Sequence, residues 1–176
     1  MNRLAGFVVV VVGLLGATYF ANVVLLQQPF DEVISADARN SGISANVHFG
    51  YYLNPSEVVF DLGGVSGANS PADVSRVLLQ FASRLKDEEF SRVILSYRGK
   101  RRFQLEGAYF RTLGEEYGIQ NPVYTMRHFP QNVYDMDGKR AFGTWRGGLL
   151  GVVNRQMEDF NAFHRRWYLS DLARRR

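Results

Sequence analysis

Leu4 to Leu26 reads LAGFVVVVVGLLGATYFANVVLL, a run without a charged side chain and with only Thr18, Tyr19 and Asn22 as polar interruptions. As a helix rising ~1.5 Å per residue it covers roughly 34 Å, enough for a hydrocarbon core of ~30 Å. Its valines are poor helix formers in water. In lipid they helix regardless, because an unpaired backbone group there costs several kcal/mol. A cleaved signal peptide is the competing expectation, but its apolar region is shorter, at ~7–15 residues, and ends in a small-x-small site. The best such site, Leu15-Gly16-Ala17, falls inside the run. Residues 1–26 are therefore expected to be an uncleaved transmembrane signal anchor. Acylation as a lipoprotein is excluded, since the chain has no cysteine.

Charge around the run sets the expected orientation. Arg3 and the terminal amine precede it, whereas QQPFDEVISADARN follows with only Arg39 among its acids. Positive flanks stay inside, so the N-terminus is expected in the cytoplasm and the domain outside it, in the periplasm if the host is bacterial. Gly13, Ala17 and Ala21 share a helix face at a spacing of four. Small residues so placed let membrane helices approach closely, making these three the expected helix contacts, whether with a membrane-protein partner or a second copy.

The remainder is expected to divide into a juxtamembrane connector, 27–43, and one soluble domain, 44–176. Most of the thirteen Phe and nine Tyr fall in that domain, ample for a core and too many for disorder. The formal net charge of +4 is mild, which argues against nucleic acid as a partner. Absence of cysteine removes disulfides, thiolate metal sites and thiol nucleophiles together.

Period-two alternation from Ala45 to Leu53, a turn at Asn54-Pro55-Ser56-Glu57 and a return over Val58–Leu62 predict a hairpin. Ser70-Pro71-Ala72-Asp73 has the cap, proline and acid of a helix start, and Val74, Val77, Leu78, Phe81 and Leu85 continue it as a stripe. A second hairpin is predicted over Ser91–Tyr97 and Arg101–Leu105, turning at Arg98-Gly99-Lys100. A helix through Tyr109–Tyr117 closed by Gly118 follows, then short strands at Val123–Met126 and Arg140–Thr144, and a long last helix from near Gly147. Hairpins interleaved with helices predict an α+β domain, an antiparallel-rich sheet packed by about three helices.

No constellation of catalytic type emerges. Phe60-Asp61-Leu62-Gly63-Gly64-Val65-Ser66-Gly67 lacks the lysine and spacing of a phosphate loop and reads as a flexible connection. His48, His128 and His164 form no helical metal pair, and Asp135-Met136-Asp137-Gly138 reads as a turn. Neither a cofactor nor a metal is expected. Asp61, His128 and His164 are the places where an enzyme acting at the membrane, the least favoured reading, would be sought. Two segments are candidate contacts. Arg98, Lys100, Arg101 and Arg102 concentrate positive charge on one hairpin and could meet an anionic ligand or partner. Trp145 and Arg146 stand beside Gly147-Gly148 and combine two residue types favoured at interfaces. The leading expectation is a single-pass accessory or interaction protein of a membrane or cell-envelope complex. An outer domain binding anionic ligands or polyanions through residues 98–102 is the alternative.

Overall fold

A computed structural model describes residues 3–145 and 149–174 of the chain. It is an α+β fold: a mixed four-stranded sheet and, among the described residues, five helical rods. The first rod comprises α1 (Arg3–Asn22), a π turn (Val23–Gln27) and α2 (Gln28–Ala36), without a break between them. Among the described residues it is the one helix long and apolar enough to cross a membrane. The handover comes earlier than hydropathy alone suggests. Leu26, expected to be lipid-facing, is 1% exposed in the domain core. Residues 27–43, expected as a connector, are mostly helix, and Phe30 and Val33 of α2 are core residues.

Strands β1 (Ile43–Gly50), β2 (Asn54–Val65), β3 (Arg92–Tyr97) and β4 (Lys100–Glu106) lie in chain order across the sheet. The β1–β2 and β3–β4 pairs are antiparallel, but β2 and β3 are parallel. The sheet is therefore less antiparallel than expected. The reason lies in α3 (Pro71–Arg84), which carries the chain back so that the second hairpin starts beside the first strand end. Ser70 caps α3 through a reciprocal capping box with Asp73, as the sequence predicts.

Two boundaries differ from expectation. The first turn is Tyr51–Leu53 rather than 54–57, and β2 runs on through Gly63 and Gly64 to Val65, so the glycine-rich segment is strand and not a loose connection. The region 122–144 also differs. Instead of a strand, α5 (Pro122–His128) forms, started by the Asn121 side chain accepting from the Val123 N–H, with proline in the first turn. Only single bridges from Tyr134 to Gln104 and to Arg140 remain of the expected short strands.

Alternation along the strands divides the sheet into two faces. Val47, Phe49, Val58, Phe60, Leu62, Val93, Leu95, Phe103 and Leu105 join the core. Phe60 is its hub, 5.6 Å from Phe30 of α2, 5.8 Å from Phe81 of α3 and 6.1 Å from Trp167, centroid to centroid. The helix α4 (Gly107–Glu116) packs on α3 so closely that a Cβ at Gly114 would stand 2.3 Å from the Ala82 carbonyl oxygen. The last rod comprises α6 (Leu149–His164), a π turn (Arg165–Leu169) and α7 (Ser170–Ala173). It buries Phe160, Phe163, Trp167 and Tyr168, and Trp167 donates to the Ser96 carbonyl at 2.9 Å. Gly147, the expected helix start, lies outside the described residues.

Candidate membrane-facing site

The junction between the apolar helix and the domain is built by two amides. Asn22, 4% exposed, donates to the Tyr52 carbonyl at 2.9 Å and to Thr18 O, while its oxygen accepts the Phe49 N–H at 2.7 Å. Gln27 accepts the Val47 N–H at 2.8 Å and donates to Ala45 O at 3.4 Å. Ala45, Val47 and Phe49 are alternate residues of β1, whose outer side has no neighbouring strand. The two amides thus take the place of a missing strand and close an edge that would otherwise be open to pairing. Residues five apart do not share a face of an α-helix. The π turn resolves this: the Gln28 N–H reaches back to Val23 O, adding one residue to the turn and bringing Asn22 and Gln27 to the same side.

Asn22 fixes more than the strand. Its Tyr52 contact holds the β1–β2 turn, where the Leu53 N–H bonds to Gly50 O at 3.0 Å. Tyr51 and Tyr52, at the centre of this turn, have φ of 49° and 62°. This is the left-handed pair that a two-residue hairpin turn requires and that Asn-Gly adopts most easily. In tyrosine such a conformation costs ~1–3 kcal/mol per residue, and it persists only where the surroundings enforce it. Here the surroundings are evident: the Tyr52 ring stacks on His48 at 4.0 Å and its hydroxyl accepts from Asn46 at 2.8 Å.

The sheet face away from the core is polar around a buried acid. Glu57, 1% exposed, receives Arg92 on one carboxylate oxygen and Arg101 on the other, the latter at 2.7 Å. Arg101 also covers the Tyr51 ring, 4.7 Å from its centroid, joining this cluster to the turn.

The basic hairpin does not act as one patch. Arg101 turns to Glu57, and Arg102, in the next position, turns to the opposite face and pairs with Asp171 of α7. Arg98 donates to Gly63 O at 2.8 Å and lies over Tyr97, while Lys100 is exposed. Because β2 and β3 are parallel, this tip stands at the opposite end of the strands from the Tyr51–Leu53 turn. Of the small residues on α1, Gly13 and Ala17 are exposed, whereas Ala21 packs against the domain. Trp145, half-buried, donates to Asp159 at 2.7 Å and lies under Arg155. Arg146 lies outside the described residues.

Asp61, His128 and His164 are not brought together. Asp61 accepts the Gly99 N–H on the polar sheet face, and His128 contacts the Tyr124 carbonyl and Gln156. His164, fully buried, has Nε2 3.1 Å from the Ser75 hydroxyl, and Ser75 opens on a groove of about 450 Å³ between α3, α4 and α5. This Ser–His pair lacks the acid a hydrolase uses, since the His164 Nδ1 is buried without a partner. Burial also lowers the imidazole pKa to about 3, too weak a base to take the serine proton at neutral pH. Asp135 accepts the N–H groups of Asp137 and Lys139, which accounts for that segment as a turn. Among the described residues no three His, Asp or Glu side chains gather as a metal site. Neither family models, characterised proteins nor solved structures yield a significant match to this chain.

Proposed function

We propose that the chain is a single-pass membrane protein whose outer domain serves as an interaction module for a membrane or envelope complex, with the N-terminus cytoplasmic. The continuity of the first rod carries this reading. A domain meant to roam on a tether has a flexible linker. Here the membrane helix enters the domain core at Leu26, Phe30 and Val33 and is tied to β1 by Asn22 and Gln27. The domain is consequently held at one height and one rotation relative to α1, a geometry that suits a partner lying in the same bilayer and leaves little reach for distant ones. Arg3 against the acidic stretch Asp31–Asp37 supports the orientation. The exposed small residues Gly13 and Ala17 offer the surface for a partner helix.

Full-length tagged chain extracted in mild detergent is the material for the test. Recovery of one stoichiometric membrane-protein partner, or of a defined homo-oligomer, is the expected result. A chain that purifies monodisperse and alone, and that cross-links to nothing in the intact membrane, would sink the reading.

A further inference from the structure

We infer that the Tyr51-Tyr52-Leu53 turn is a second membrane contact, seated in the headgroup–acyl boundary of the leaflet on the domain's side. This rests on the reading that α1 spans the bilayer. The 20 residues of Arg3–Asn22, at ~1.5 Å each, reach ~30 Å, the thickness of the hydrocarbon layer. With Arg3 at one boundary, the other falls at Asn22. The Asn22 side chain is bonded to the Tyr52 carbonyl, so the turn stands at that same level and has no freedom to leave it.

The side chains at this level match the zone. Tyr19 and Phe20 on the helix are 70% and 66% exposed, and Tyr51 and Leu53 on the turn are 75% and 65% exposed. Aromatic residues with a polar tip collect at membrane interfaces, and here they come from two segments distant in sequence. The turn adopts a backbone that Asn-Gly would take with ease and uses it to present Tyr51 and Leu53 outward, while Tyr52 folds back onto His48 and Asn46. Arg101 lies over Tyr51 and pairs with Glu57, which also holds Arg92. The cluster has one more cation than anion and borders the turn, where lipid phosphates lie. A two-point contact, helix and turn, fixes the tilt of the domain as well as its height.

Because the chain has no cysteine, single reporters can be introduced cleanly. Full-length protein in vesicles of phosphatidylcholine and phosphatidylglycerol, carrying a nitroxide at Leu53→Cys, Val12→Cys or Lys100→Cys, reports collisions with membrane-dissolved oxygen against those with a water-soluble nickel chelate. The oxygen-to-nickel ratio at Leu53→Cys is expected to exceed that at Lys100→Cys several-fold and to approach that at Val12→Cys. Tyr51→Cys provides a second reporter should Leu53→Cys not fold. A ratio at the turn equal to that at Lys100→Cys, with Val12→Cys still in lipid, overturns this inference alone. Shielding from both reagents overturns it too, since protein would then cover the turn. A water-exposed label at Val12→Cys overturns the spanning reading, and this inference with it.

Discussion

Removing the Asn22 carboxamide strands two backbone groups at once, the Phe49 N–H and the Tyr52 carbonyl, beside an apolar helix. An unsatisfied buried group costs ~1–3 kcal/mol. Asn22→Ala is therefore expected to lower the thermal midpoint of the detergent-solubilised chain by about 5 °C. An unchanged midpoint would mean that water satisfies both groups. His164 gives a pH signature. Its folded pKa of about 3 lies below the ordinary 6.5, so the unfolded chain binds its proton first. This contribution is intact above pH 6.5 and is lost as the pH falls toward 3. Between pH 7 and pH 5 the loss amounts to about 2 kcal/mol. Urea titrations at the two pH values should show it, and His164→Phe should reduce it. Asn22 was visible in the sequence only as a polar flaw in an apolar run. Its role depends on β1 coming alongside, a long-range fact that local periodicity does not contain.

At the scale of elements, what could be read from the sequence follows the local physics. Strand β1 shows alternation because one face is buried and the other is wet. Helix α3 shows both its cap and its stripe. The π turn in the first rod was illegible, since an extra residue in a turn leaves no mark in a uniformly apolar stretch. Helix α5 was mistaken for strand because Val123, Tyr124 and Thr125 favour β structure, yet Asn121 followed by Pro122 is a helix start. The parallel β2–β3 pairing was missed because two hairpins joined by a helix do not reveal which strands become neighbours. Deleting Val24 tests the register of the rod. It leaves Asn22 and Gln27 four apart, a spacing at which an α turn also puts both on one face, so the turn should become α and both amides should still reach β1. The thermal midpoint should therefore fall by much less than in Asn22→Ala. A fall as large as that of Asn22→Ala would show that the extra residue is needed to seat Asn22 on β1.

For the whole molecule, the apolar helix and the domain form one body, joined through the core at Leu26 and Phe30. Washing membranes with alkaline carbonate should leave the full-length chain in the pellet, with peptides from residues 4–22 recovered by mass spectrometry. Release into the supernatant, or loss of those peptides, would remove the bilayer from the account. The candidate contacts were less legible than the fold. Charge density along residues 98–102 suggested one patch, but consecutive strand residues point to opposite faces, and the bulge after Leu95 sends Arg101 and Arg102 to Glu57 and Asp171 respectively. The tyrosines of the first turn were counted as strand in the sequence. Their exposure follows from a turn placed three residues earlier than proline and asparagine indicated.

The amide seal along β1 has a consequence for crowding. Proteins confined to a bilayer share one orientation and one height, so identical strands in neighbouring copies meet edge to edge far more often than they would in solution. A bare β1 would offer each neighbour a matching template for a growing ribbon. With Asn22 and Gln27 occupying the Val47 and Phe49 donors and the Ala45 acceptor, that template is interrupted, and copies sharing a bilayer would not zip together through this rim.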